Sequence, residues 1–185
     1  MELTEALYGR RATRAFTTEL LPKILLEKLV DAAIQAPSAV NGQPWYFTVI
    51  ENQALLDTIS SKSKQYMLKV MENKEFPEHL REYLEAPDFH VFYHAPMLVV
   101  ISSKAGNWAI EDATLAAQNL MLAAHGEGLG SCWIGFAQHW LGTPEGKRTI
   151  GLSGDYMPVA PIIVGHAART SPPVARNPAR IQWIV

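Results

Sequence analysis

Arg10, Arg11 and Arg14 put three guanidiniums within five residues, directly after a helix-like opening at Thr4 to Tyr8. A guanidinium is always charged, carries only donors and forks onto carboxylate or phosphate oxygens, so a cluster of them calls for a local anion. A second string, Ala36-Pro37-Ser38-Ala39-Val40-Asn41-Gly42-Gln43-Pro44-Trp45, sets a hydroxyl and two amides among turn formers. Read alone it is a helix stop followed by a polar loop. Gly126, Gly128 and Gly130 have the spacing of a dinucleotide-binding loop, but such a loop follows a strand and opens a helix. Here the order is reversed, and the glycines read as a helix stop leading into Cys132-Trp133-Ile134-Gly135. His90 and His94 stand four residues apart with no acidic partner evident and Ala95-Pro96 following, so no metal site is expected there. Cys132, the single cysteine, reads as a core thiol.

These groups must be held by a fold. Leu26, Leu29, Val30 and Ala33 recur at helical spacing behind Pro22, which predicts an amphipathic helix over about 22–35 that ends before Pro37. Tyr46 to Ile50, Met97 to Ser102 and Val159 to Val164 are short apolar runs with the pattern of buried central strands. Between the last two, Asp112 to His125 keeps Ala113, Ala116, Ala117, Leu120, Met121 and Ala124 on one face and Leu115 and Leu122 on a second. That predicts a nearly fully buried helix, whose alanine face fits either a central core position or close approach of its own copy in a dimer. In residues 60–95, Lys62, Lys64, Lys69 and Lys74 alternate with Tyr66, Met67, Val70 and Met71 before Pro77 and Pro87, and the stretch reads as a mobile helical flap. Arg169 to Pro178 is proline-rich and should be extended, ahead of an alternating, edge-strand-like Ile181 to Val185.

With 185 residues, 48% hydrophobic and 18% charged, the chain has enough apolar material for one domain with a sizeable core. A net charge of −2 gives no field for nucleic acid, and no apolar stretch has the length of a membrane span. The single cysteine excludes an intrachain disulfide framework, and the start lacks the basic and apolar regions of a signal peptide. These features predict a soluble cytoplasmic protein.

The pair of strings R-R-x-[ST]-R and A-P-S-x-x-N-x-Q-P-W, joined by Gly128-Leu129-Gly130-Ser131-Cys132-Trp133-Ile134-Gly135, resembles the FMN-dependent nitroreductase (NADH oxidase-like) family over nearly the whole chain. The resemblance implies an α+β fold with a mixed, mainly antiparallel central sheet flanked by helices. It further implies one FMN-binding domain over 1–185, with 60–95 as a variable flap and 169–185 as a C-terminal extension exchanged in a homodimer. Flavin sites would be shared between the two subunits. By the same resemblance Arg10 and Arg11 bind the phosphate and nearby flavin atoms, Thr13 is a further cofactor contact and Arg14 lies at the pyrimidine end, with Ala12 standing where many relatives carry serine. Pro37, Ser38, Asn41 and Gln43 line the cofactor, the Pro-Ser part from the neighbouring subunit. The backbone at Trp133, Ile134 and Gly135 flanks the isoalloxazine, one amide bonding N5, and Arg176 returns to the phosphate. The implied reaction is ping-pong transfer from NADH or NADPH to a nitroaromatic or quinone, with no catalytic side chain. A specialised flavoenzyme performing another reduction, a dehydrogenation or a dehalogenation is an alternative, as is a flavin-binding carrier or sensor without turnover.

Overall fold

The computed structural model describes residues 1–72 and 76–185. Helix α1 (Leu3–Gly9) is followed by the arginine segment, then by α2 (Lys23–Ile34) and a short 3-10 turn at Ala39–Asn41. Next come β1 (Trp45–Ile50), α3 (Gln53–Glu72), α4 (Glu78–Glu85), β2 (Met97–Lys104), α5 (Ala109–Gly126) and β3 (Gly130–Trp133). The helices α6 (Gly135–Leu141) and α7 (Pro144–Thr149) lead to β4 (Tyr156–Gly165).

Among the described residues the four strands form one sheet in the order β1-β2-β4-β3, with every pairing antiparallel. Because strand side chains alternate between faces, β2 and β4 supply two cores at once. Met97, Val99, Ile101, Ile162 and Val164 pack on one side against Leu29, Ala33 and the α5 residues Ala113, Ala116, Ala117 and Leu120. Leu98, Val100 and Ile163 pack on the other against Leu56 and Ile59 of α3 and Ala137, Trp140 and Leu141 of α6. The result is a sheet covered by helices on both faces, the architecture expected for a chain whose central strands are continuous apolar runs. A bulge between Ile101 and Ser102, opposite Ala160 and Pro158, shifts the pairing of β2 with β4 by one residue.

Several expectations need correction. The run at 46–50 is an edge strand, with Tyr46 47% and Val49 36% exposed, because β2 pairs with it on one side only. Helix α5 is buried along its alanine face, but on the second apolar side Leu115 is 44% exposed and Leu122 only half-buried. The stretch at 60–95 begins in the packed helix α3, 20 residues long, which buries Ser60, Ser63, Met67 and Met71 there. The reading of Lys74 falls outside the described residues. No strand forms at 181–185, where Ile181, Trp183 and Ile184 are exposed and unpaired. The glycine reading holds: Gly128 adopts φ 77°, Leu129 N–H returns to Ala124 C=O at 2.8 Å, and β3 starts two residues later.

Candidate functional site

Two of the sequence strings, more than a hundred residues apart, meet at the free side of β3. Arg10 N–H closes α1 on Ala6 C=O, and the chain then runs parallel to β3, with Ala12 bridging Ser131 and Thr13 N–H donating to Ser131 C=O at 3.0 Å. Thr13 is buried against Gly130, where a Cβ would lie 2.6 Å from both Thr13 Oγ1 and Thr13 Cγ2. The Gly at 130 is therefore required by close approach. Phe16 bridges Ala167, and Thr17 N–H bonds His166 C=O at 2.9 Å, which fixes the far end of the segment just past β4. Arg14 is thereby presented, exposed, in front of the β3–α6 junction.

Arg14 lies on the rim of a cleft of about 370 Å³ shared with Cys132, Trp133, Ile134 and Gly135. Met67, Phe76, Val91 and Phe136 make it largely apolar, and Tyr93 and His139 add polar groups. Burial raises the Tyr93 phenol pKa above its ordinary value, against the opposing positive charge of Arg14. Burial likewise pushes the Cys132 thiol up, offset in part by Arg14 and Arg10, so Cys132 is held as a neutral thiol. Ile134 N–H is taken by Pro161 C=O at 2.8 Å, which removes it as a ligand donor. Gly135 opens α6, and first-turn N–H groups have no intrahelical acceptor, so the Gly135 amide remains available to a ligand.

The other arginines gather nearby. Arg11 and Arg14 line a recess of about 500 Å³ with Arg169, Thr170 and Ser171, and Arg10 lines another of about 450 Å³ with Thr13, Ser131 and Arg169. Arg176 reaches a smaller recess with Tyr8, Arg11 and Val174. Ser171 Oγ donates to Ala12 C=O at 3.4 Å, tying the start of the tail to the arginine segment. Arg11 turns one Nη onto the carbonyls of Tyr8 (2.8 Å) and Arg10 (2.9 Å), and its buried Nε has no partner. Among the described residues, Arg10, Arg11, Arg14 and Arg169 enter no ion pair with a carboxylate. Four unneutralised guanidiniums around the same segment fit a multiply charged anion such as a phosphate monoester. Arg169 and Tyr93 carried no motif that would single them out in the sequence.

Pro37, Ser38, Asn41 and Gln43 lie elsewhere. Among the described residues none of them shares a cleft with Arg14 or Trp133. Their loop is strained and self-bonded: Val40, Asn41 and Gln43 have φ of 47°, 56° and 45°, Gln43 N–H donates to Ser38 Oγ at 3.0 Å, and Gln43 Nε2 donates to Asn41 Oδ1 at 3.1 Å. It is anchored by the buried Asp112 of α5, whose Oδ1 accepts Ala39 N–H at 2.9 Å. Asp112 is a second residue that sequence spacing does not reveal.

The expectation that His90 lacks an acidic partner is corrected by α3, which brings Asp57 Oδ1 to 3.1 Å from His90 Nε2, with the His94 ring stacked at 4.3 Å. The three ligand atoms lie within 4.8 Å of one another. Hydrogen bonding accounts for this group without an ion. His90 Nδ1 accepts Phe92 N–H at 3.2 Å, so in the neutral ring the proton sits on Nε2 and points at Asp57, which leaves no lone pair there for a metal. Burial and the neighbouring His94 lower the His90 pKa, in keeping with a neutral ring.

Residues 7–166 match the sequence profile of the Nitroreductase family, and the chain belongs to that family. A protein of Methanothermobacter thermautotrophicus named for NADH dehydrogenase/NAD(P)H nitroreductase activity is 29% identical over 145 residues, covering 73% of this chain and 61% of that protein. The chain thus spans less than two thirds of that relative. An iodotyrosine deiodinase of Thermotoga neapolitana is 32% identical over 127 residues, covering 66% of this chain and 67% of the relative. A nitroreductase with bound FMN from Bacteroides fragilis superposes with a TM-score of 0.82 at 26% identity, over 100% of this chain and 98% of the other. No helix among the described residues is long and apolar enough to cross a membrane.

Proposed function

We propose that the protein is an FMN-dependent oxidoreductase that passes reducing equivalents from NADH or NADPH to an electron-poor acceptor such as a nitroaromatic or quinone. One observation carries the reading: the arginine segment is laid along β3 so that unneutralised guanidiniums border a largely apolar cleft at the β3–α6 junction. Arg10, Arg11 and Arg169, with Arg176 from the tail, would hold the phosphate of FMN. Thr13 braces the segment against Gly130. Arg14 would place positive charge at the pyrimidine end, where negative charge grows on reduction, and the Gly135 amide would supply a donor that needs no change of protonation. Trp133 and Ile134 would flank the ring, with Val91 and Phe136 shielding it from water. When bound, FMN supplies the hydride-accepting ring.

The site is completed by a second copy. The loop with Pro37, Ser38, Asn41 and Gln43 faces outward, with Val40 93% exposed, and the tail carries Trp183 82% and Ile184 89% exposed. Such apolar exposure away from an incomplete polar site fits a homodimer in which both segments contact the partner's cofactor.

The likeness to an iodotyrosine deiodinase supports a second reading, reductive dehalogenation of a halophenol in the same cleft. Anaerobic addition of NADH or NADPH to the purified yellow protein, followed by a nitroaromatic, a quinone or iodotyrosine, separates the readings. Rapid bleaching with recovery on the first two acceptors supports the proposal. Recovery on iodotyrosine alone supports the deiodinase reading, and a flavin that does not bleach makes the protein a carrier or sensor.

A further inference from the structure

Tyr93 and His94 are consecutive residues with φ of 53° and 52°, a left-handed backbone that side-chain-bearing residues resist. One face of α3 holds them there. Gln53 Nε2 donates to Ala95 and Pro96 carbonyls (3.4 and 3.2 Å), Asp57 bonds His90 (3.1 Å), Ser60 Oγ accepts Val91 N–H (2.9 Å), and Lys64 Nζ donates to Ala86 and Phe89 carbonyls (2.9 and 3.0 Å). Positions 53, 57, 60 and 64 recur at helical spacing, so a single stripe of polar side chains grips the irregular segment from 86 to 96. His90 adds the cap on Phe92 N–H.

The residue presented by this arrangement is Tyr93. Its ring stands edge-on to Phe89, with centroids 5.5 Å apart at 80°, and it lines the cleft together with Arg14. Donor and acceptor counting then leaves one group over. A guanidinium has no acceptor, so Arg14 cannot take the phenolic proton, which remains to be donated. Val91, Ile134 and Phe136, which share the cleft, carry no side-chain acceptor, and among its described lining residues only the His139 imidazole offers a strong one.

We propose that Tyr93 is a further binding residue of this cleft, whose O–H donates to a carbonyl oxygen of the flavin ring held beside Arg14 and binds the reduced ring more tightly than the oxidised one. The inference rests on the FMN reading above. A carbonyl oxygen gains negative charge when the ring is reduced, so a neutral donor backed by a guanidinium strengthens with reduction. The raised phenol pKa keeps that donor protonated at neutral pH.

The test uses the FMN-loaded protein and Tyr93→Phe, which keeps the ring packing on Phe89. Binding of reduced FMN should weaken about tenfold more than binding of oxidised FMN, read as a midpoint potential lower by about 30 mV. An unchanged potential overturns the assignment, as does a variant altered only in the KM for the acceptor, because the hydroxyl would then serve the substrate. A wild-type protein that binds no FMN is a different failure and removes the function proposed above. A second readout needs no substitution: the infrared flavin carbonyl bands of the wild-type holoprotein should include one displaced to lower frequency from free FMN in an aprotic solvent. Bands at the unbonded position overturn the proposal even if Tyr93→Phe does not fold.

Discussion

At the scale of single residues, the contact between Gly130 and Thr13 is the sharpest structural constraint on the site, because it locks the arginine segment to β3. Gly130→Ala introduces a Cβ 2.6 Å from Thr13 side-chain atoms and should cost about 1–3 kcal/mol in urea unfolding. Adding Thr13→Ala should recover part of that loss; no recovery would show that the backbone, and not Thr13, objects. His90 governs a second effect. Its pKa is lowered from the ordinary 6.5, so below that value the unfolded chain binds more protons than the folded one. Stability therefore rises with pH through the window beneath 6.5 and is lost as pH falls through the folded value. Urea midpoints should drop more between roughly pH 7.5 and pH 5 in the wild type than in His90→Asn, which keeps an acceptor for Phe92 N–H. Equal drops would assign the acid sensitivity to another group. The arginines themselves were legible in the sequence because charge clustering needs no third dimension. Tyr93, Arg169 and Asp112 were not, since each acquires its role only when a remote segment arrives beside it.

At the scale of elements, Asp112 links α5 to the loop at 38–43, and the loop's left-handed residues give the chain a reason to leave without that link. Asp112→Ala leaves Ala39 N–H unsatisfied in a partly buried place and should cost about 1–3 kcal/mol. Asp112→Asn, which retains an acceptor oxygen, should recover most of it in the same chemical unfolding measurement. The elements read best from the sequence were those whose periodicity is enforced by burial: α2 was expected over about 22–35 and runs Lys23–Ile34. The central strands β2 and β4 were legible as apolar runs for the same reason. Strand β1 has a similar composition, and only the pairing order makes it an edge. The alternation at 181–185 expresses a propensity with no strand beside it to pair. The lysine-rich stretch at 60–95 read as a mobile flap because residues such as Lys64 look solvated until the carbonyls of Ala86 and Phe89 are brought against it.

For the whole molecule, the fold of one chain leaves the candidate site divided: arginines and cleft on one surface, the Ser38–Gln43 loop elsewhere, and an extended tail with Trp183 and Ile184 exposed. Truncation after Arg169 should give a protein that loses both its dimeric mass in light scattering and its flavin; a flavin-loaded monomer would contradict the shared site. Among the described residues, Arg10, Arg11 and Arg169 lie free of carboxylates because, in the proposed function, they serve the single phosphate of FMN. The most direct measurement is the identity of the cofactor released by heating the purified protein, together with FMN titration of the wild type and Arg10→Ala. The wild type should release FMN and its apoprotein should rebind it, whereas Arg10→Ala should lose that binding. Release of FAD, or a colourless wild-type protein that does not take up added FMN, would contradict the FMN assignment.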